Sequence, residues 1–137
     1  MHLDPAAYLR SLIGRPWSCE ASCWHLAVEV EREMFGRDLP MVDIPAAPTW
    51  RWMMEAIEGH PERAHWREVR PGPLGTVRAA DGAIVLMARS NRPAHVGVWL
   101  KGHQGVIHAD QGAGVMLETL STLRARGWAR LRFYEPA

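Results

Sequence analysis

Residues 94–109 constrain the fold more than any other stretch. Ala94-His95-Val96-Gly97-Val98-Trp99-Leu100 and Gly105-Val106-Ile107-His108-Ala109 are apolar runs joined by the compact loop Lys101-Gly102-His103-Gln104-Gly105. Two such runs across a short glycine-containing loop read as a β-hairpin, so the sheet that holds them is antiparallel there. Asp81-Gly82 is a turn signal before Ala83-Ile84-Val85-Leu86-Met87-Ala88, a buried strand, and Ser90-Asn91-Arg92-Pro93 turns again into the hairpin. Downstream, Val115 to Leu117 reads as another strand and Ser121 to Arg126 as a short helix. Trp128 to Tyr134 alternates, with Ala129, Leu131 and Phe133 on one face, as a closing strand does.

The first half has a different period. Apolar side chains recur at Cys23, Leu26, Ala27, Val30 and Met34, the three-and-four spacing of one helical face, with Ser22 as N-cap and Gly36 as C-terminal stop. Asp4 to Ile13 reads as a shorter amphipathic helix: Asp4 caps it, Pro5 takes the first helical position, Tyr8, Leu9 and Leu12 form the buried face, and Gly14 ends it. Arg15 to Ala21 is a loop into the Cys23 helix. Beyond Gly36 comes a connection punctuated by Pro40, Pro45 and Pro48, and then a helix from Thr49 to Glu58 with Trp52, Met53 and Ile57 on one side. Trp50 and Trp52 fall on opposite faces of that helix, one toward the core and one toward a cleft. Residues 59–75 are broken by three prolines, with His65 to Val69 as a short edge strand. Helices first and hairpin-linked strands after define an α+β chain, N-terminal helices packed on an antiparallel sheet of about five or six strands. Without repeats, low-complexity tracts or a linker, residues 1–137 read as one domain.

A chain of 137 residues, 47% apolar and 23% charged, has enough core to fold without a metal or disulfide framework. The net charge of +1 argues against a nucleic-acid or membrane partner. Arginine outnumbers lysine fifteen to one, a skew attributed to base composition rather than phosphate recognition. Cys19 and Cys23 lie four apart, which is no disulfide framework. A Cys-x-x-x-Cys with no second compact pair is also a poor zinc signature, so no metal is expected. The N-terminus lacks a basic start and a long apolar run, and no stretch approaches membrane-spanning length. Synthesis in a reducing cytoplasm, where a free thiol survives, is the expectation.

Chemistry enters through Cys23, His95 and His108. A cysteine in the first turn of a helix meets unpaired backbone N–H groups and the positive end of the helix dipole, which favour a thiolate over a thiol of pKa about 8.5. The same residue also fits a small apolar core position. His95 starts one strand of the hairpin and His108 ends the other, and neighbouring strands lie about 5 Å apart, so two imidazoles can sit side by side at one end of the sheet. If the Cys23 helix packs there, the result is a nucleophile, a base and an orienting group. This arrangement predicts a separation of roughly 3–4.5 Å between the Cys23 sulfur and a ring nitrogen of His95, with His108 on the other nitrogen.

Several motifs together resemble the NlpC-type (NlpC/p-sixty) papain-like cysteine peptidases, particularly the short forms of phage tail-tip assembly. Ser22-Cys23-Trp24-His25-Leu26 is similar to the family's Asp-Cys-Trp-Gly-Leu, and Gly36-Arg37-Asp38-Leu39-Pro40 to the Gly-x-x-Leu-Pro of the tail forms. The likeness resumes at residues 81–87, 94–100, 106–109 and 129–134, leaving 41–75 unmatched. It implies a papain-like fold with Cys23 as nucleophile, His95 as base and His108 as third polar residue. Trp17, Ser22, Trp24 and His25 would then line the substrate. The implied reaction is hydrolysis of a peptide bond in peptidoglycan stem peptides, typically between D-glutamate and a diamino acid, without a cofactor. The implied setting is a phage tail or injection apparatus acting at the cell wall, with tail-tip proteins as partners. Ser22 stands where the family has aspartate, and His25 where it has glycine. Two alternatives share the fold: a catalytically weak or inactive assembly module, and a thiol acyltransferase that resolves the thioester with an amine.

Overall fold

The structure, a computed structural model, describes residues 4–45 and 48–137. It is α+β: among the described residues, four α-helices accompany a six-stranded antiparallel sheet. Helix α1 (Pro5–Leu12) begins where the Asp4 carboxylate accepts the Ala7 N–H at 3.1 Å, and it buries Tyr8, Leu9 and Leu12. Helix α2 (Cys23–Phe35) begins at Ser22 and ends at Gly36, whose φ of 67° supplies the left-handed turn-off that glycine allows. Helix α3 (Trp50–Gly59) is capped by Thr49, which accepts the Trp52 N–H at 3.1 Å. The side chain of Trp50 lies outside the described residues, while Trp52 faces a pocket. Among the described residues, no helix is long and apolar enough to cross a membrane.

The strands are β1 (Trp66–Val69), β2 (Ile84–Ala88), β3 (His95–Leu100), β4 (Gly105–Asp110), β5 (Gly114–Thr119) and β6 (Arg130–Pro136), in the order β1-β6-β2-β3-β4-β5. The expected hairpin is present: Val98 pairs with Ile107, Trp99 with Val106 and Leu100 with Gly105. Beyond that register Gly97 passes β4 closely. A Cβ there would sit 2.5 Å from Val106 Cγ1 and 3.2 Å from His108 Cβ, so the glycine makes room for the His108 side chain. The edge strand begins at Trp66 because His65 completes a 3₁₀ turn from Pro61.

Other boundaries also differ from the sequence expectation. Strand β5 is longer than Val115–Leu117, since Gly105 to Asp110 pairs along its whole length with Gly114 to Thr119. Helix α4 (Leu120–Ala125) starts a residue early because Thr119 caps it. The closing strand starts at Arg130, not Trp128, because the Trp128 ring is drawn beneath the sheet.

Both faces of the sheet are covered. On one side α1 and α2 pack Leu9, Leu12, Leu26, Ala27 and Val30 against Val96, Val98, Ile107 and Ala109. On the other, Val85, Met87, Trp99, Val106 and Phe133 are closed off by Ala79, Leu123 and Trp128. Coverage on two sides explains why β2 is apolar at every position instead of alternating.

One buried charge was invisible to the periodicity argument. Glu31 lies on the packed face of α2, fully buried, with one oxygen 2.8 Å from Arg37 and the other unpartnered. Arg37 also donates to the Gly82 carbonyl at 3.1 Å, tying the end of α2 to the β2 turn. Burial pushes the Glu31 carboxyl up to about 7, against the opposing pull of Arg37. A carboxyl raised in the folded state holds its proton more tightly there than in the unfolded chain. Stability is therefore greatest below the ordinary glutamate range and falls as pH rises toward 7. Glu31→Gln should remove that slope, gaining on the order of 3 kcal/mol relative to wild type between pH 4 and pH 8. Urea unfolding at the two pH values checks it; parallel stability curves would contradict the assignment.

Candidate active site

The start of α2 is built by a capping box in which histidine replaces the usual glutamate. Ser22 Oγ accepts the His25 backbone N–H at 3.4 Å, and the Ser22 backbone N–H donates to His25 Nδ1 at 3.4 Å. The Ser22 hydroxyl also lies 2.8 Å from Nδ1. Because Nδ1 already accepts the Ser22 N–H, the hydroxyl donates its proton there. Ser22 is fully buried. Ser22 and His25, placed along the substrate by the resemblance, are thus engaged with each other and with the helix end. Trp24 is half-buried; its indole N–H donates to the Pro40 carbonyl at 2.7 Å, and its ring meets His60 at 5.6 Å between centroids.

Cys23 follows the cap with 2% of its surface exposed. Its sulfur faces backbone groups of Val96, Trp24 and Cys23 itself, so it lies against the residue that follows His95 in β3. Among the described residues, no hydrogen bond joins the thiol to either imidazole. Strand alternation explains this: Val96 faces α2, whereas His95 faces the opposite side and stacks on Trp128, centroids 5.0 Å apart and planes at 16°. Cys23 and His95 consequently open into different pockets. The sulfur borders an apolar one of ≈ 90 Å³ with Trp24, Trp52, Met53, Ile57 and Trp66. His95 borders a polar one of ≈ 300 Å³ with Trp17, Arg89, Asp110, Arg126 and Trp128. Met53 of α3 lines both, so the two pockets adjoin at that side chain.

The two histidines meet as the hairpin predicts. His95 Nε2 lies 2.9 Å from His108 Nδ1, the rings crossing at 87°. His108 does not end its strand, since β4 continues to Asp110. The chain of contacts runs further: His108 Nε2 is 2.8 Å from Glu118 Oε1, and Arg126 donates to that same oxygen at 3.0 Å. Arg126 also sits 3.5 Å from Asp110. The sequence reading ends this strand at Leu117 and so leaves Glu118 out, while Arg126 stands at the end of the expected helix with no local signal of its distant partner. With β5 extended, Glu118 stands opposite Val106, two residues along β4 from His108 and on the same face.

The electrostatics favour neutral groups. Burial, then the charges of His108, Arg89 and Arg126, hold His95 well below the ordinary histidine range. Burial lowers His108 as well, against the pull of Glu118. Desolvation pushes the Cys23 thiol up to about 11, outweighing the backbone groups that face it. The expectation of a thiolate held by the helix start and His95 is corrected on this point: burial wins over the dipole, and the resting thiol is protonated. No three His, Cys, Asp or Glu side chains among the described residues converge as a metal site requires. No family model matches the chain, and no curated protein matches it significantly.

A protonated, desolvated thiol should be alkylated slowly. At pH 7 a pKa of about 11 leaves a thiolate fraction on the order of 10⁻⁴. Iodoacetamide should therefore label half-buried Cys19 faster than Cys23 at pH 6–8, with the Cys23 rate still climbing above pH 9. Mass-spectrometric labelling against pH decides it. Faster labelling of Cys23 at pH 6 would mean a thiolate–imidazolium pair instead.

Proposed function

We propose that the chain is a cysteine peptidase or amidase of the NlpC-type, papain-like class, acting on peptidoglycan stem peptides within a phage tail or related injection apparatus. One observation carries the reading: a buried His95–His108 pair at 2.9 Å stands at the start of the strand whose next residue touches the first-turn cysteine. A hydrogen-bonded imidazole pair and a helix-start thiol, brought to adjacent residues of one strand, are the groups nucleophilic acyl transfer uses.

In this reading substrate binding displaces Met53 from between the two pockets and brings thiol and imidazole within reach. Cys23 sulfur then attacks the scissile carbonyl as its proton passes to His95 Nδ1. Both groups are neutral beforehand, so attack and proton transfer occur together, with no preformed thiolate. The backbone N–H of Cys23, free of any intrahelical carbonyl at the helix start, stabilises the oxyanion. His95 then protonates the leaving amine, and water hydrolyses the thioester. Trp17 would contact the peptide on the His95 side and Trp24 on the sulfur side, with Met53 yielding between the two pockets. No cofactor takes part. Resolution of the same thioester by an amine would make the chain an acyltransferase instead.

The burial of Cys23 gives the rival reading its specific support. A thiol with 2% exposure and no imidazole partner suits a tail-tip assembly module that keeps the fold without the chemistry. Digestion of purified cell wall separates the two. Wild type and Cys19→Ala should release stem-peptide fragments, while Cys23→Ala should fold normally and reduce release at least roughly 10³-fold. Undiminished release by folded Cys23→Ala, or none from wild type on several wall types, would overturn the peptidase reading.

A further inference from the structure

Behind the two histidines lies a hydrogen-bonded run of buried polar groups that ends in a carboxylate, Glu118, whose Oε1 is bonded and whose Oε2 is not. His95 is 7% exposed, His108 fully buried and Glu118 4% exposed, and each of the three side chains has at least one buried hydrogen-bond partner. The positions of the protons in this run follow from one contact. Arg126 donates to Glu118 Oε1 at 3.0 Å, so that oxygen is an acceptor, and the proton in its 2.8 Å contact with His108 belongs to His108 Nε2. A neutral imidazole with its proton on Nε2 presents a lone pair at Nδ1. His108 Nδ1 is 2.9 Å from His95 Nε2, so His95 in turn carries its proton on Nε2. That leaves the lone pair of His95 on Nδ1.

We propose that Glu118, held by Arg126 on the same oxygen, is a positioning residue that fixes the tautomers of both His108 and His95 and so keeps His95 Nδ1 free to accept the Cys23 proton. Removal of the acceptor would let His108 carry its proton on Nδ1 instead. His95 would then have to accept at Nε2 and protonate Nδ1, the nitrogen that the reaction requires empty. The role of Nδ1 in catalysis rests on the peptidase reading; the tautomers themselves do not. The remaining charged groups around the pair are Arg89, with its guanidinium carbon 3.8 Å from the Trp128 ring centroid, and Asp110, paired to Arg126. Neither contacts a ring nitrogen of His95 or His108 among the hydrogen bonds of the described residues, so the tautomer is set through Glu118.

The test is long-range ¹H–¹⁵N correlation of the imidazoles, which reports the protonated nitrogen of each ring, run beside wall digestion. Wild type at pH 7 should show Nε2–H on both His95 and His108. Glu118→Gln keeps a carbonyl oxygen facing Arg126, so both tautomers should persist, with kcat/KM within roughly tenfold of wild type. Glu118→Leu removes the acceptor, so Nδ1–H should become a major form of His95, with kcat/KM falling by roughly 10²- to 10⁴-fold and KM little changed. Nδ1–H on His95 in wild type would overturn the proposal, as would a folded Glu118→Leu with both tautomers unmoved. Should Glu118→Leu fail to fold, the wild-type and Glu118→Gln spectra still decide, since both must show Nε2–H on both rings. Tautomers that shift as stated in a protein that cleaves no wall peptide would uphold Glu118 and sink the peptidase reading. Cleavage with tautomers that do not respond would do the reverse.

Discussion

The 2.9 Å contact between His95 and His108 is the interaction on which the rest of the site depends. Desolvating an imidazole and leaving a nitrogen unpaired costs about 1–3 kcal/mol per group, and here two rings and a carboxylate are buried together. The fold sustains this because every ring nitrogen except His95 Nδ1 has a partner within 3 Å, ending at a carboxylate that Arg126 neutralises. Several backbone features exist to allow it. Gly97 clears the space beside His108 Cβ, and β5 runs long enough to bring Glu118 under β4. Trp128 is pulled from the strand edge to stack on His95. That polar line crosses a face otherwise filled with Val, Met, Trp and Phe, and it ends at Nδ1 of His95, the nitrogen that the proposed chemistry would use as a base.

The thiol side is organised by different forces. Cys23 belongs to the apolar layer between α2 and the sheet, and its sulfur meets backbone instead of imidazole. The two halves of the proposed chemistry are thus delivered from opposite faces of β3, joined through the backbone between His95 and Val96. Met53 stands where the two pockets meet. In the proposed chemistry a peptide that reaches both Cys23 and His95 would have to displace or bend around that side chain, which would place α3 in its path. Methionine suits such a position, being unbranched and able to repack at low cost.

The sequence carried the antiparallel hairpin, the caps at Asp4, Ser22 and Thr49, the left-handed stop at Gly36 and the pairing of His95 with His108. All of these are local: a cap, a turn or a short loop is decided by residues within a few positions of it. The features that escaped are those decided by distant partners. Glu31 carries no local mark of burial; Arg37 and the packing around the Gly82 turn close over it. Glu118 lay one residue past the expected end of its strand, because strand length is set by the partner strand and not by the segment itself. His25 stood out as a departure from the resembled family; its pairing with Ser22 gives that departure a structural use at the helix start. The thiolate expectation rests on the helix start and on His95 as partner, whereas desolvation, a property of the assembled core, is the larger effect.

The most direct test of the account is to catch the covalent intermediate. Wild-type protein mixed with a stem-peptide ester, quenched in acid within milliseconds to seconds and digested, should carry an acyl group as a thioester on the peptide containing Cys23. The adduct should be absent from His95→Ala and from Cys23→Ala. An acyl group on Cys19, or no adduct at any quench time while ester is being consumed, would show that Cys23 is not the nucleophile and that the buried histidine line serves some other end.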